Sequence, residues 1–254
     1  MRSVDELFTV VVREQDDDAR WSAIRELHAL GTREVFERGV QLCRSDDPAD
    51  RVAGADIVGQ LSSYTDEGMR VLEGMLGDHV PSVLESVVHA LAQKQDARTI
   101  EALARLAAHD ASNVRWAVAT ALEDLIGDER AEKVLLTLMR DGDTSVRDRA
   151  TFAVGSLSDH DSPRIRAALA ERLRDDDACV ANEAALGLAR RRDARAIPYI
   201  ATAVEGSKDE EIEEAVDEIT SPDMLTELLK ARDALGDAGG LRKLIDRCRT
   251  RAEL

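Results

Sequence analysis

Between Ser112 and Ser145 the chain reads SNVRWAVATALEDLIGDERAEKVLLTLMRDGDTS. Apolar residues fall at Val114, Ala117, Val118, Ala121, Leu122 and Leu125, and at 3.6 residues per turn these return to one side of a helix. Gly127 and Asp128 interrupt the pattern. A second stripe follows at Ala131, Val134, Leu135, Leu138 and Met139, with Asp128 placed to cap it by accepting a backbone N–H. The stretch predicts a helical hairpin, and neither helix buries its apolar face unless neighbours stack on both sides.

The chain supplies those neighbours. Positions equivalent to Arg115 recur at Arg20, Arg51, Leu84, Arg147, Ala181 and Glu213, at spacings of 31, 33, 31, 32, 34 and 32 residues. The expectation is an all-α, right-handed α-solenoid of about seven helical hairpins with terminal capping helices. It forms a single repeat domain over 1–254, with an N-terminal cap in 1–16, repeats over 17–237 and a C-terminal cap in 238–254.

Ser3 and Glu6 have capping-box spacing, so Val4 to Arg13 reads as the opening helix. The first pair covers about Ala19–Leu30 and Arg33–Arg44, and the second starts at Asp47 and Pro48, runs to about Leu61 and resumes at Asp66–Leu76. The third covers about Ser82–Ala92 and Ala97–Ala108. In the fifth pair Val146, Ala150, Ala153, Val154 and Leu157 make the first stripe, and Ser162 with Pro163 opens the second helix. Pro198, inside the second helix of the sixth pair, predicts a local kink. A basic closing helix is expected from Leu241 to Arg251, after Gly239 and Gly240.

Charge narrows the function classes. A formal net charge of −17 argues against a nucleic-acid footprint, which depends on lysine and arginine displacing counterions. Cys43, Cys179 and Cys248 are far apart and form no CxxC, so no disulfide framework or thiolate zinc site is expected and a reducing, cytoplasmic setting fits. LFTVVV, from Leu7 to Val12, is too short to span a membrane and lacks a basic flank.

Two stretches resemble a known repeat. VRDRATFAVGSLSDHDSPRIRAALAERLRDDD, from Val146, and ANEAALGLARRRDARAIPYI, from Ala181, are similar to the short HEAT-like repeat named after phycobilisome lyases. Within that family the chain is most similar to the YibA-like bacterial proteins, through DIVGQL at Asp56 to Leu61 and the fifth and sixth repeats. The resemblance implies an arginine ladder between repeats, carried here by Arg20, Arg51, Arg115 and Arg147 and interrupted at Leu84, Ala181 and Glu213. It also implies, for the YibA-like group, a role in toxin immunity.

Chemistry is scarce. His28, His79, His89, His109 and His160 lack the following glutamate of the di-iron HEAT-like hydroxylases, and Ser156, in VGSLS, lacks a GxSxG elbow. No catalytic residue, metal or cofactor is expected. Trp21 and Trp116 both follow the repeated arginine and are candidates for partner contact or for packing between repeats. The seventh repeat carries Asp209, Glu210, Glu211, Glu213, Glu214, Asp217 and Glu218 with Lys208 as the nearby base, which makes Glu210, Glu213, Glu214 and Asp217 candidate contacts for a basic partner. The sequence therefore reads as a monomeric, non-catalytic protein-binding scaffold, in the manner of a neutraliser of a basic toxin. The alternative is an enzyme or enzyme accessory, lyase-related or glycosylase-like, with a site in the solenoid groove.

Overall fold

The computed structural model describes residues 2–14, 16–206, 209–236 and 238–252, and all regular structure among them is helical. The opening helix α1 is Val4–Arg13. Seven hairpins follow: α2 Asp17–Leu30 with α3 Arg33–Leu42, α4 Pro48–Gln60 with α5 Thr65–Gly74, α6 Pro81–Ala92 with α7 Ile100–Leu106, α8 Ser112–Leu122 with α9 Glu129–Leu138, α10 Thr144–Phe152 with α11 Pro163–Arg172, α12 Ala178–Arg190 with α13 Ile197–Ala203, and α14 Glu210–Ile219 with α15 Leu225–Leu235. The closing helix α16 is Gly239–Ala252. Arg20, Arg51, Leu84, Arg115, Arg147, Ala181 and Glu213 are each the fourth residue of a first helix, so the repeat register read from the sequence is the structural one.

Local chemistry starts the helices. The α1 capping box is formed, with Glu6 N–H donating to Ser3 Oγ at 3.2 Å and Ser3 N–H to the Glu6 carboxylate at 2.7 Å. Aspartate caps recur: Asp47 accepts from Ala49 N–H, Asp128 from Arg130, Asp143 from Ser145 and Asp177 from Cys179, each at 2.9 Å.

The chain divides into two compact units, residues 1–134 and 135–254. In the first, α4 packs on α6 and α6 on α8, while α3 backs α4 and α1 covers α2 with Leu7, Phe8 and Val11. In the second, α12 lies against α10 and α14, and α16 seals α13 and α15 with Leu241, Leu244, Ile245 and Cys248. Both cores are thin layers of small and branched side chains, with Ala117, Val118, Ala150, Ala153, Ala184 and Ala185 fully buried between neighbouring helices.

Four expectations change. Leu157 does not join the fifth stripe: residues Ala153–Leu157 form a π-helical turn, whose extra residue rotates Leu157 outward to 51% exposure. α8 ends at Leu122, so Leu125 sits half-buried in a 3₁₀ turn and Ile126 takes the core place. Pro198 is not inside a longer second helix: Ala194–Ala196 form a 3₁₀ turn and the proline falls in the first turn of α13, where its missing N–H has no intrahelical acceptor. Gly239 and Gly240 lie inside α16 instead of before it.

Ala150 on α10 has no exposed surface, so a larger side chain there has no free space to enter. Ala150→Leu is expected to cost about 1–3 kcal/mol by overpacking. A urea midpoint unchanged from the parent would refute this packing.

Candidate functional site

In residues 1–134 a groove of about 700 Å³ opens along the first helices α2, α4, α6 and α8. Arg20 and Trp21 on α2, Asp56 on α4, and Glu85, Ser86 and His89 on α6 line it, with the carboxylates of Asp17, Glu123 and Asp124 at its edge. Asp56 is buried and accepts from both the Arg20 guanidinium and the Ser86 hydroxyl. Burial pushes its carboxyl above the ordinary range, against the pull of Ser86, Arg20 and His89. The His89 ring meets Trp116 of α8 edge-on, with centroids 6.1 Å apart. Trp21 and Trp116 are both half-buried, so each packs on its own unit and still presents ring surface.

The repeated arginines do two different things. Arg51 holds Asp78 through two bonds of 2.7 and 3.1 Å and donates to the carbonyls of Ser45 and Asp46 at 3.1 and 3.0 Å. Arg147 repeats this with Asp175, at 3.0 Å twice, and with the carbonyls of Asp141 and Gly142 at 3.1 and 3.3 Å. Arg115 donates to the carbonyls of His109 and Asp110 at 2.8 and 2.9 Å. Asp78 and Asp175 each stand three residues before the next first helix, and each also accepts a local backbone N–H. Arg20 finds Ser45 at that place, which has no carboxylate, and turns into the groove to Asp56 instead. Where the arginine is replaced the acid is too: Leu84 is matched by His109, whose Nδ1 accepts from Ala111 N–H at 3.1 Å, and Ala181 by Ser207, which lies outside the described residues.

The acidic helix α14 is not left to self-repulsion. Glu214 accepts from Arg190 of α12 at 2.5 Å, and Asp217 from Arg247 and, at 2.7 Å, Arg251 of α16. Glu213 lies 4.0 Å from Arg247, and Glu210 is exposed. The cations come from helices distant in sequence, which is why a local reading found only Lys208, a residue outside the described ones. Elsewhere in residues 135–254 the buried Glu183 accepts from the Ser156 hydroxyl, and burial raises both Glu183 and the nearby Asp148 above the ordinary carboxylate range.

Family comparison settles what these hairpins are. The profile for HEAT repeats matches residues 69–155 and 132–220, more than half of the chain. The chain belongs to the HEAT-repeat family. This HEAT-repeat chain is 26% identical over 243 residues to protein YibA of Escherichia coli K12, covering 92% of the chain and 80% of the relative. It superposes on the X-ray structure of Escherichia coli YibA with a TM-score of 0.76 at 24% identity, covering 98% and 93% of the two chains. It also matches importin beta with a TM-score of 0.66 at 11% identity, over 96% of this chain and 42% of that one. These likenesses establish an α-solenoid of HEAT repeats.

Among the described residues of the HEAT-repeat chain, no three His, Cys, Asp or Glu side chains gather to hold a metal, and no helix is long and apolar enough to cross a membrane. Cys43 and Cys248 are buried and Cys179 is exposed, and all three are free thiols. Asp56, Ser86 and Glu183 are the groove and interface residues that sequence reading missed; the signal was a polar side chain on the otherwise apolar inner rows of α4, α6 and α12.

Asp175 tests the ladder. The Arg147 hydrogen bond holds its carboxyl below the ordinary value of 3.8, with Arg172 also donating at 2.9 Å. Its folded form therefore binds fewer protons than the unfolded chain, so its stabilisation is complete above the ordinary value and is lost as pH falls through the depressed one. Asp175→Asn is expected to lower stability by about 2 kcal/mol at pH 7, with the gap to the parent closing as pH drops below about 4. Urea midpoints across that range check it, and a gap independent of pH would exclude the ion pair as its source.

Proposed function

We propose that this HEAT-repeat chain is a non-catalytic scaffold that binds another protein, and that the partner is basic and is neutralised by being held, as a toxin is by an immunity protein. The observation that carries the reading is the first-helix groove in residues 1–134. There two half-buried indoles, Trp21 directly and Trp116 through His89, stand beside the carboxylates of Asp17, Glu85, Glu123 and Asp124. Tryptophan loses little conformational freedom on binding and supplies large contact area, so it is favoured where binding energy concentrates. A net charge of −17 speeds encounter with a positive surface, an effect screened beyond ~8 Å at physiological salt.

The exposed carboxylates Glu210, Glu213, Glu214 and Asp217 extend the negative field in residues 135–254. Glu214 and Asp217 already hold arginines of their own chain, so their contribution is to steering more than to the contact itself. Arginine ladder residues hold repeats together and are left to that role.

Kinetics with the purified product of the neighbouring gene test the proposal. Trp21→Ala is expected to weaken the complex at least ten-fold, mainly through faster dissociation. The pair Glu85→Lys and Asp124→Lys should slow association at low salt and converge on the parent at high salt. Absence of a complex with that product, or parental kinetics in both variants, would overturn the reading.

A further inference from the structure

Five features coincide at two repeat junctions, α4 to α6 and α10 to α12, that lie 96 or 97 residues apart. The ladder ion pairs Arg51–Asp78 and Arg147–Asp175 are there. The first helices touch through glycine: a Cβ on Gly59 would stand 2.6 Å from the Cβ of Ala90, and one on Gly187 would stand 2.6 Å from the Cα of Gly155. At the end of the third and sixth first helices, a cation reaches back to the helix before it. Lys94 Nζ donates to the carbonyls of Leu61 and Val58 at 3.0 and 3.5 Å. Arg191 donates to those of Gly187, Gly155, Val154, Ser158 and His160 at 2.7–3.2 Å. The next residues, Gln95 and Arg192, take φ of +47° and +52°, the only non-glycine positive values among the described residues. Asp96 and Asp193 then cap the turn that follows.

The correspondence continues outward. Arg20-Trp21 matches Arg115-Trp116, and the VGxLS stretch of Val58 to Ser62 matches that of Val154 to Ser158. The repeats with arginine at the fourth position of the first helix carry leucine at the fourteenth, Leu30, Leu61, Leu125 and Leu157. Of the repeats without it, the third and sixth carry Lys94 and Arg191 there, and the seventh carries Asp223.

We infer that the first six repeats are two copies of a three-repeat module, with the seventh outside both, and that in each copy the second and third repeats are locked as one rigid pair while the step that follows is compliant. Opening a locked step breaks the ladder pair, the charge-assisted bonds to helix-terminal carbonyls and the glycine contact together. The following steps, α6 to α8 and α12 to α14, lack both the ladder pair and the back-reaching cation. Asn113–Glu85 at 2.7 Å, Gln95–Asp124 at 2.9 Å and the His89–Trp116 ring contact bridge the first, and Arg190–Glu214, Asn182–Asp209 at 3.1 Å and Arg192–Asp223 at 2.7 Å the second. All but Asn182 are exposed or half-buried, where such pairs carry little energetic weight. This inference does not depend on the identity of any partner.

Native-state hydrogen exchange of the full chain in sub-denaturing urea tests it. Amides of α4 and α6 should follow one opening isotherm, and those of α10 and α12 another, with α8 and α14 opening separately at lower urea. Lys94→Met should split α4 from α6, reduce protection at the end of α4 at least ten-fold, and leave α10 and α12 joined. Arg191→Lys should keep its pair joined, since lysine serves at the same place in the first module. One isotherm shared by α6 and α8, separate opening of α4 and α6 in the parent, or equal loss in both pairs from Lys94→Met would each overturn the locked-pair inference.

Discussion

Every element of this chain depends on how closely one first helix can approach the next. A helix with a single apolar stripe gains little by itself, and the gain from stacking grows as the backbones near each other, because more atoms reach van der Waals contact. Alanine and glycine on the facing rows permit that approach, and Ala117, Ala150, Ala184 and Gly187 are buried for this reason. With aromatic residues only 3% of the chain, the core has few large rings, Phe8 and Phe36 among them, to hold the helices apart. Close approach also creates a demand: helix ends brought together expose their unpaired carbonyls to each other's side chains. Arg51, Lys94, Arg147 and Arg191 meet that demand from four different helices.

The same geometry decides where recognition is possible. Rows that face the neighbouring repeat are committed to alanine, valine and leucine, so variation is confined to the rows that look away from the stack. Trp21, Val52, Glu85 and Trp116 occupy the fifth position of their first helices, and Asp148, Asn182 and Glu214 hold it in the later repeats. One helical position thus carries aromatic, aliphatic, acidic and amide side chains in different repeats.

The fold was legible because its signals are local and repeated. The stripe in Val114 to Leu122 and the recurrence of Arg115 equivalents gave the register of the first helices, with ends within two residues for α2, α4 and α6, and Ser3 with Glu6 marked the first cap. What escaped was set by partners far away in sequence. Arg20 looked like one more ladder arginine until Ser45 proved to occupy the place of its acid. Leu157 fitted the stripe until a π-helical turn rotated it outward, and no pattern of apolar spacing encodes such a turn. The arginines that meet α14 come from α12 and α16. The candidate groove was legible only in its tryptophans, since Asp56 gains its meaning from Ser86 and Arg20 on two other helices.

The glycine contact at Gly59 and its counterpart at Gly155 and Gly187 bears on how a chain of this kind can change length. A HEAT array is usually thought free to gain or lose single repeats of about 32 residues. Here removal of the third repeat would set Leu125 where Lys94 is needed, removal of the sixth would set Asp223 where Arg191 is needed, and removal of the second or fifth would bring His28 or Glu123 to the place of Gly59 or Gly155. Single-repeat changes that respect both matches fall outside these two pairs, so the unit kept whole when such an array changes length is the matched pair of hairpins and not the hairpin.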